Sequence, residues 1–357
     1  MPPSPIAPPL PLEDLTLILE HTSALWNKVR GQSLFITGGT GFFGCWLLES
    51  FCHINRALNL QAKATVLTRN PDTFRAKCPH LADSPEIAFV SGDVRDFAFP
   101  NGEFQYVIHA ATETSIESTT QAQIDLLDSV VGGTKRLLEF ASTHGTRKFL
   151  FTSSGAVYGR QPVDISHLPE TYSGAPDLSE PASAYGEGKR LAELLCALYG
   201  RRFVIECKIA RCWAFCGPHL PLDKHFAIGN FIADVIAGRT IRINGDGTPR
   251  RSYLYAADLA IWLWTILLRG PSLVPINVGS DRDLSILELA HAVADTLNPE
   301  IKIEVAKLAL PGTSPSRYVP SVARAEKVLG LRQITSLEDC IRRTTAWHRI
   351  GLQQSPS

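Results

Sequence analysis

The chain has 357 residues, with 35 Lys+Arg, 35 Asp+Glu and 45% hydrophobic residues. That is long enough for a sizeable core and, at roughly 150 residues per domain, for about two domains; a disordered or fibrous chain is excluded. Zero formal net charge and a pI near 7.1 exclude a general polyanion binder, so neither nucleic acid nor an anionic membrane is expected as a partner.

The first dozen residues are dominated by proline and predict a mobile or polyproline-like arm. No basic region followed by an apolar run marks a secretory signal, and the expected location is cytoplasmic. Leu15, Leu19, Ala24, Leu25 and Trp26 fall at largely helical spacing within residues 12–30, predicting an amphipathic capping helix. A strand SLFIT (33–37) follows, then a glycine cluster and an apolar helix from Phe42 to Phe51. Further strands are read at 64–68, at 87–92, within EFQYVIHA and in KFLFTSS, with helical segments between them. Alternation of this kind predicts βαβ units, hence an α/β fold with a Rossmann-like, doubly wound parallel sheet. After Pro218 long loops rich in Pro, Gly and charge predict a smaller, partly interleaved C-terminal substrate-binding region. The expected division is an arm and helix over 1–30, a dinucleotide-binding domain over 31–211 with a returning segment near 253–280, and a substrate region over 212–252 and 281–350. The run Leu259 to Leu268 is too short to cross a bilayer, which needs about 20 apolar residues, and reads as a buried helix.

Eight scattered cysteines favour reduced thiols over a disulfide framework. Cys212 and Cys216 form the one close pair in sequence; without a second pair or nearby histidines, no metal site is expected there.

Gly38, Gly41 and Gly44 form GxxGxxG between a strand and a helix, with Phe42 and Phe43 opening that helix. Glycines there permit a tight turn and close approach of a pyrophosphate to a helix N-terminus. At the end of the second strand, where an acid would hold ribose hydroxyls, Arg69 stands instead, and a cation can pair with a 2′-phosphate. NADP(H) is therefore the preferred expectation over NAD, the alternative being that Arg69 is a solvated surface residue. Downstream, Tyr185 and Lys189 lie four apart and share a helical face. An ammonium close to a phenol favours the phenolate and moves a group with reference pKa of about 10 towards neutrality, where it can exchange a proton with a substrate hydroxyl.

The glycine loop, the serine-rich strand end TSSGAVYG (152–159) and YGEGK (185–189), in that order, resemble the extended short-chain dehydrogenase/reductase family of nucleotide-sugar epimerases, dehydratases and reductases. GDVRD (92–96), VIHAAT (107–112), Gly217-Pro218, GNFI with Asn230, GDGTPRRSYLY (245–255) and NVGS (277–280) extend the resemblance from Ser33 to about Arg349. The resemblance implies that Asp93 and Val94 contact the adenine and that Ala110 and Ala111 line the cofactor channel. It implies Tyr185 as general acid/base and, with Lys189, as a cofactor contact, Lys189 on the nicotinamide ribose, and Ser154 on the reacting substrate oxygen; the alternative for the strand end is that Ser153 or Thr152 satisfies backbone groups there. It further implies Arg251 and Asn230 as contacts to the diphosphate of a sugar nucleotide, with Arg250 as the rival arginine, and a homodimer formed partly through the YxxxK helix.

Departures from the family pattern bear on the reaction. Dehydratases of the family place Asp-Glu, and decarboxylases a glutamate, before Val-Tyr-Gly; here Gly155-Ala156 stands there. Ala214 and Val130 replace frequent family asparagines. What remains needs a hydride carrier and one tyrosine: reduction of a 4-keto sugar nucleotide is favoured, with a 4-epimerase holding NAD as the alternative. A dinucleotide sensor without turnover is the other class, and retention of Ser154, Tyr185 and Lys189 together argues against it.

Overall fold

The computed structural model describes residues 6–353 apart from 112–118, 225 and 311. Its main sheet is built from β1 (Ser33–Thr37), β2 (Lys63–Thr68), β3 (Ile87–Ser91), β4 (Tyr106–His109), β5 (Lys148–Ser154) and β6 (Glu206–Cys212). Five of the six carry a buried apolar run, as expected of strands covered on both faces. Short strands follow: β7 (Phe215–Cys216), β8 (Ile241–Ile243), β9 (Arg250–Ser252), β10 (Leu254–Tyr255), β11 (Ile276–Val278), β12 (Asp283–Ser285), β13 (Ile303–Val305) and β14 (Arg317–Tyr318). β11 returns to the main sheet, whose seven strands run β11-β6-β5-β4-β1-β2-β3, all parallel. β12-β9-β14 form a separate three-stranded sheet.

The helices are α1 (Leu12–Thr22), α2 (Phe42–Ala57), α3 (Pro71–Lys77), α4 (Pro79–Ala82), α5 (Thr120–Thr143), α6 (Ala184–Phe203), α7 (Ala227–Ile236), α8 (Ala256–Arg269), α9 (Ile286–Leu297), α10 (Ala323–Leu329) and α11 (Leu337–Gln353). α8 is buried from Ala256 to Leu268, as its unbroken apolar sequence requires. It joins α1 and α2 on one face of the sheet, while α5 and α6 cover the other.

The predicted helix over 12–30 is α-helical only to Thr22 and continues as a 3₁₀ segment to Val29. The N-terminal arm differs more from its expectation. Ala7 and Leu10 are buried, the Ala7 N–H donates to the Lys77 carbonyl at 2.8 Å, and Trp347 Nε1 donates to the Pro8 carbonyl at 3.0 Å. Asp14, fully buried, accepts from Tyr255 Oη at 2.6 Å and from Arg343 Nη1 at 2.5 Å. Proline removes donors but leaves carbonyls, and neighbouring side chains use them to fix the arm.

Candidate active site

The chain moves outward from β1 in one direction to β2 and β3, and in the other from β4 to β5 and β6, so the carboxyl ends of β1 and β4 bound the crevice where doubly wound folds bind ligands. Gly38 follows β1 at φ +72°, and a Cβ there would lie 2.4 Å from the Ala110 carbonyl and 2.5 Å from the Ala111 nitrogen. The geometry thus brings Gly38, Ala110 and Ala111 together; Thr112, the last residue of that motif, lies outside the described residues. A Cβ on Gly44 would meet the Gly38 oxygen at 2.3 Å. Gly41, the N-cap of α2, is different: its nearest atom would be 3.5 Å away, and its φ is −90°. Its side of the loop is open, and the helix start carries no side-chain cap, as an anion site requires. These residues fit a dinucleotide. Phe42 and Phe43 pack against the core, with the Phe43 ring 5.1 Å from Phe215.

Arg69 is exposed at the end of β2. Asp93 pairs with Arg95 at 2.7 Å; that bond, with a smaller contribution from Arg69, holds the Asp93 carboxyl below its usual range. Arg95, which sequence reasoning missed, adds a second cation to the adenosine side. Val94 packs beneath Gly133 of α5, where a Cβ would lie 2.7 Å from its Cγ1.

The last residues of β5 divide their tasks. Thr152 Oγ1 donates to the His109 carbonyl at 3.0 Å, and Ser153 Oγ donates to Glu193, itself bridged to Arg211 at 2.7 Å. Both are committed to the scaffold. Ser154 Oγ caps the following turn by accepting from the Ala156 N–H at 3.1 Å, and its hydroxyl stands near enough to the phenols of Tyr185 and Tyr318 to draw the pKa of each downward. Burial pushes the Tyr185 phenol up to about 12, against the pull of the Ser154 hydroxyl. Burial pushes buried Lys189 down to about 8, and its Nζ donates to the Thr152 carbonyl at 2.7 Å. The expected depression of the tyrosine by the lysine is not seen in this state: the Lys189 ammonium lies 5.9 Å from the Tyr185 ring centroid and does not offset desolvation of the phenolate.

Tyr318 was not found by sequence reasoning. It sits on β14, paired with Arg251 of β9, and its ring centroid is 4.4 Å from that of Trp213. A Cβ on Gly155 would lie 2.7 Å from both Trp213 Cδ2 and Tyr318 Oη. The position that carries an acid in family dehydratases therefore has no room for any side chain. Trp213 is fixed by Asn277, whose Oδ1 accepts from Trp213 Nε1 at 3.2 Å and from Tyr158 Oη at 2.9 Å.

Arg250 forms an ion pair with Asp283 and a longer one with Glu288 at 3.4 Å. It is held within the small sheet. Arg251, partly exposed, donates to the Arg250 carbonyl at 2.8 Å, which leaves its guanidinium further donors for a ligand. Asn230 is exposed in the first turn of α7. Cys212 and Cys216 do not converge on one ligand: Cys212 donates to the Ala210 carbonyl, while Cys216 meets Thr344 at 3.3 Å. All eight cysteines are free and buried.

Residues 34–279 match the sequence profile of the NAD dependent epimerase/dehydratase family. The chain belongs to this family. UDP-glucuronic acid decarboxylase 5 of Arabidopsis thaliana is 30% identical over 311 residues, 86% of this chain and 87% of that protein. The fold is shared with an epimerase of Methanothermobacter thermautotrophicus, with TM-score 0.74, 20% identity and coverage of 95% of this chain and 97% of the other. It is also shared with a UDP-glucuronic acid 4-epimerase variant of Bacillus cereus solved with a UDP sugar and NAD, with TM-score 0.74, 20% identity and coverage of 89% and 99%. Among the described residues no helix is long and apolar enough to cross a membrane.

Proposed function

We propose that this family member is a nicotinamide-dinucleotide-dependent enzyme acting on a nucleotide-diphospho sugar at C4, and that it reduces a 4-keto substrate. The observation that carries the reading is the Ser154, Tyr185 and Lys189 constellation beside a position 155 closed to side chains. The site thereby has phenols as its proton donors and lacks, at positions 155 and 156, the carboxylates that the resemblance assigns to dehydration and decarboxylation.

When bound, the dinucleotide supplies the hydride. The remaining chemistry falls to the chain. Ser154 orients the keto oxygen, and Tyr185 gives its phenolic proton to the oxygen as negative charge develops there. A phenol held at about 12 is protonated at neutral pH, the form that donates to a keto oxygen. Lys189, buried 5.9 Å from the Tyr185 ring centroid, is proposed to hold the ribose and to stabilise the phenolate left after transfer. Arg251 and Asn230 are proposed for the diphosphate, a task suited to a planar multi-donor cation.

The family and its NAD-bound relatives support NAD rather than the NADP preference read from Arg69, and NAD is the cofactor proposed here. The second reading, a 4-epimerase, rests on the same set of residues. The test offers the protein 4-keto nucleotide sugars, UDP-glucose and UDP-glucuronic acid with C4-deuterated NADH or NADPH. Deuterium at sugar C4 with net cofactor consumption supports reduction. Interconversion without net consumption selects the epimerase, and carbon dioxide released from UDP-glucuronic acid overturns both.

The homodimer is proposed through α5 and α6. Their outer faces expose Ile124 (49%), Leu191 (43%), Leu194 (53%) and Leu198 (55%), and spacings of three and four along α6 make one apolar stripe.

A further inference from the structure

At the first turn of α2, three segments distant in sequence converge. Cys45 stands in the first turn of α2, Cys78 caps α3, and His219 follows the Gly217-Pro218 turn; one ligand atom from each lies within 4.8 Å of the other two, and all three residues are buried. We infer that Cys45, Cys78 and His219 form a zinc(II) site unrelated to the hydride chemistry.

Four observations carry it. A zinc ion bound at about 2.3 Å to sulfur and about 2.0–2.1 Å to nitrogen draws ligand atoms somewhat closer than these already stand, so a small closure suffices. His219 Nδ1 is buried without a hydrogen-bond partner, an orphan that ligation would satisfy. The opposite ring nitrogen, Nε2, lies 3.4 Å from Glu49 Oε1, and that carboxylate is itself fixed by the Leu10 N–H at 2.7 Å and by His80 at 3.1 Å. A carboxylate behind an imidazole is the arrangement that sets the tautomer and orientation of a ligating histidine. Finally, His219 is held at φ +68°, in the left-handed region that non-glycine residues occupy at a cost, and this conformation persists only where the surroundings determine it.

An open cleft of about 530 Å³ reaches Glu49 and His80, the carboxylate behind His219 and its second imidazole partner, from the surface. Two thiols lose their protons to solvent on binding, so the ion and two thiolates form a neutral unit suited to burial. Three protein ligands leave one position of a tetrahedral ion for water. The ion ties the helix of the glycine loop to the end of α3 and to the turn leading towards α7.

Full-length protein produced with added zinc and dialysed against buffer should carry one equivalent of zinc by elemental mass spectrometry. Cobalt(II) loaded in its place should show thiolate-to-metal charge transfer and tetrahedral d–d bands. Cys78→Ser and His219→Gln should each lose that equivalent, whereas Cys52→Ser, which alters a buried thiol bonded to Ser84 outside the cluster, should retain it. Should the ligand variants fail to fold, thiol modification of wild-type protein should release the zinc stoichiometrically into a chromogenic chelator. Wild-type protein that holds no zinc overturns the inference. So does a thiol titration after denaturation that finds two fewer than the eight cysteines, since Cys45 and Cys78 would then be joined as a disulfide.

Discussion

Gly38 and Gly41 lie three residues apart in one loop, and their alanine variants separate a glycine required by the fold from one required by the ligand. Gly38→Ala places a side chain at φ +72° and 2.4 Å from the backbone of Ala110. The left-handed conformation costs about 1–2 kcal/mol and the forced displacement about 1–3 kcal/mol, together about 2–5 kcal/mol. Against a total stability of about 5–15 kcal/mol, the variant should unfold several degrees lower in calorimetry. Gly41→Ala meets nothing nearer than 3.5 Å at an ordinary φ of −90°, so its stability should stay within about 0.5 kcal/mol of wild type. Yet its Cβ would occupy the space through which a pyrophosphate approaches the start of α2. Its Kd for NAD should rise at least about tenfold, or about 1.4 kcal/mol, by isothermal titration. Wild-type NAD affinity in Gly41→Ala would refute the placement of the diphosphate on this loop, and an unaltered unfolding temperature for Gly38→Ala would refute the packing account.

Tyr185→Phe should abolish turnover while changing NAD affinity less than about threefold, because the role proposed for the phenolic oxygen is proton transfer; steady-state rates and titration check both. Arg251→Leu should raise KM for the sugar nucleotide by about one to two orders of magnitude with little change in stability, while Arg250→Leu, which leaves the half-buried Asp283 with Arg317 alone of its two arginines, should lower stability more than it changes KM. His109, buried between Thr37 at 2.7 Å and Thr134 at 3.0 Å, has its pKa pushed by desolvation from 6.5 to about 3. The unfolded chain thus takes up a proton below about pH 6.5 that the folded chain refuses until about pH 3, so stability falls with pH across that window. Between pH 6.5 and 5 this group should account for about 2 kcal/mol, and urea midpoints of His109→Gln should depend less on pH than those of wild type. Leu194→Glu should convert a dimer to a monomer in light scattering; a wild-type monomer would remove the α5 and α6 interface.

The strands β1 and β5 occur at the bounds the sequence predicts, since each is a short apolar run closed by glycine or serine-rich turns. The glycine loop and the Tyr185 and Lys189 pair were legible because their partners lie within a few residues along one element. Tyr318 was not: only the parallel pairing of β14 with β9 carries it to Ser154, more than a hundred residues away along the chain. The same holds for Cys45, Cys78 and His219, whose spacings match no short ligand pattern because each comes from a different layer of the fold. The proline arm misled in the other direction. Composition describes how a segment behaves alone, and Ala7 and Leu10 are ordered by surfaces that composition does not show.

The clasp between Asp14 and Arg343, together with the Trp347 bond to Pro8, has a consequence for how the molecule is made. Residues 7–14 are synthesised well before α11, the helix they dock against. Until α11 follows, Ala7 and Leu10 of the arm lack that covering. The arm therefore docks only after a long stretch of later-made chain, and contacts of such long sequence separation form slowly.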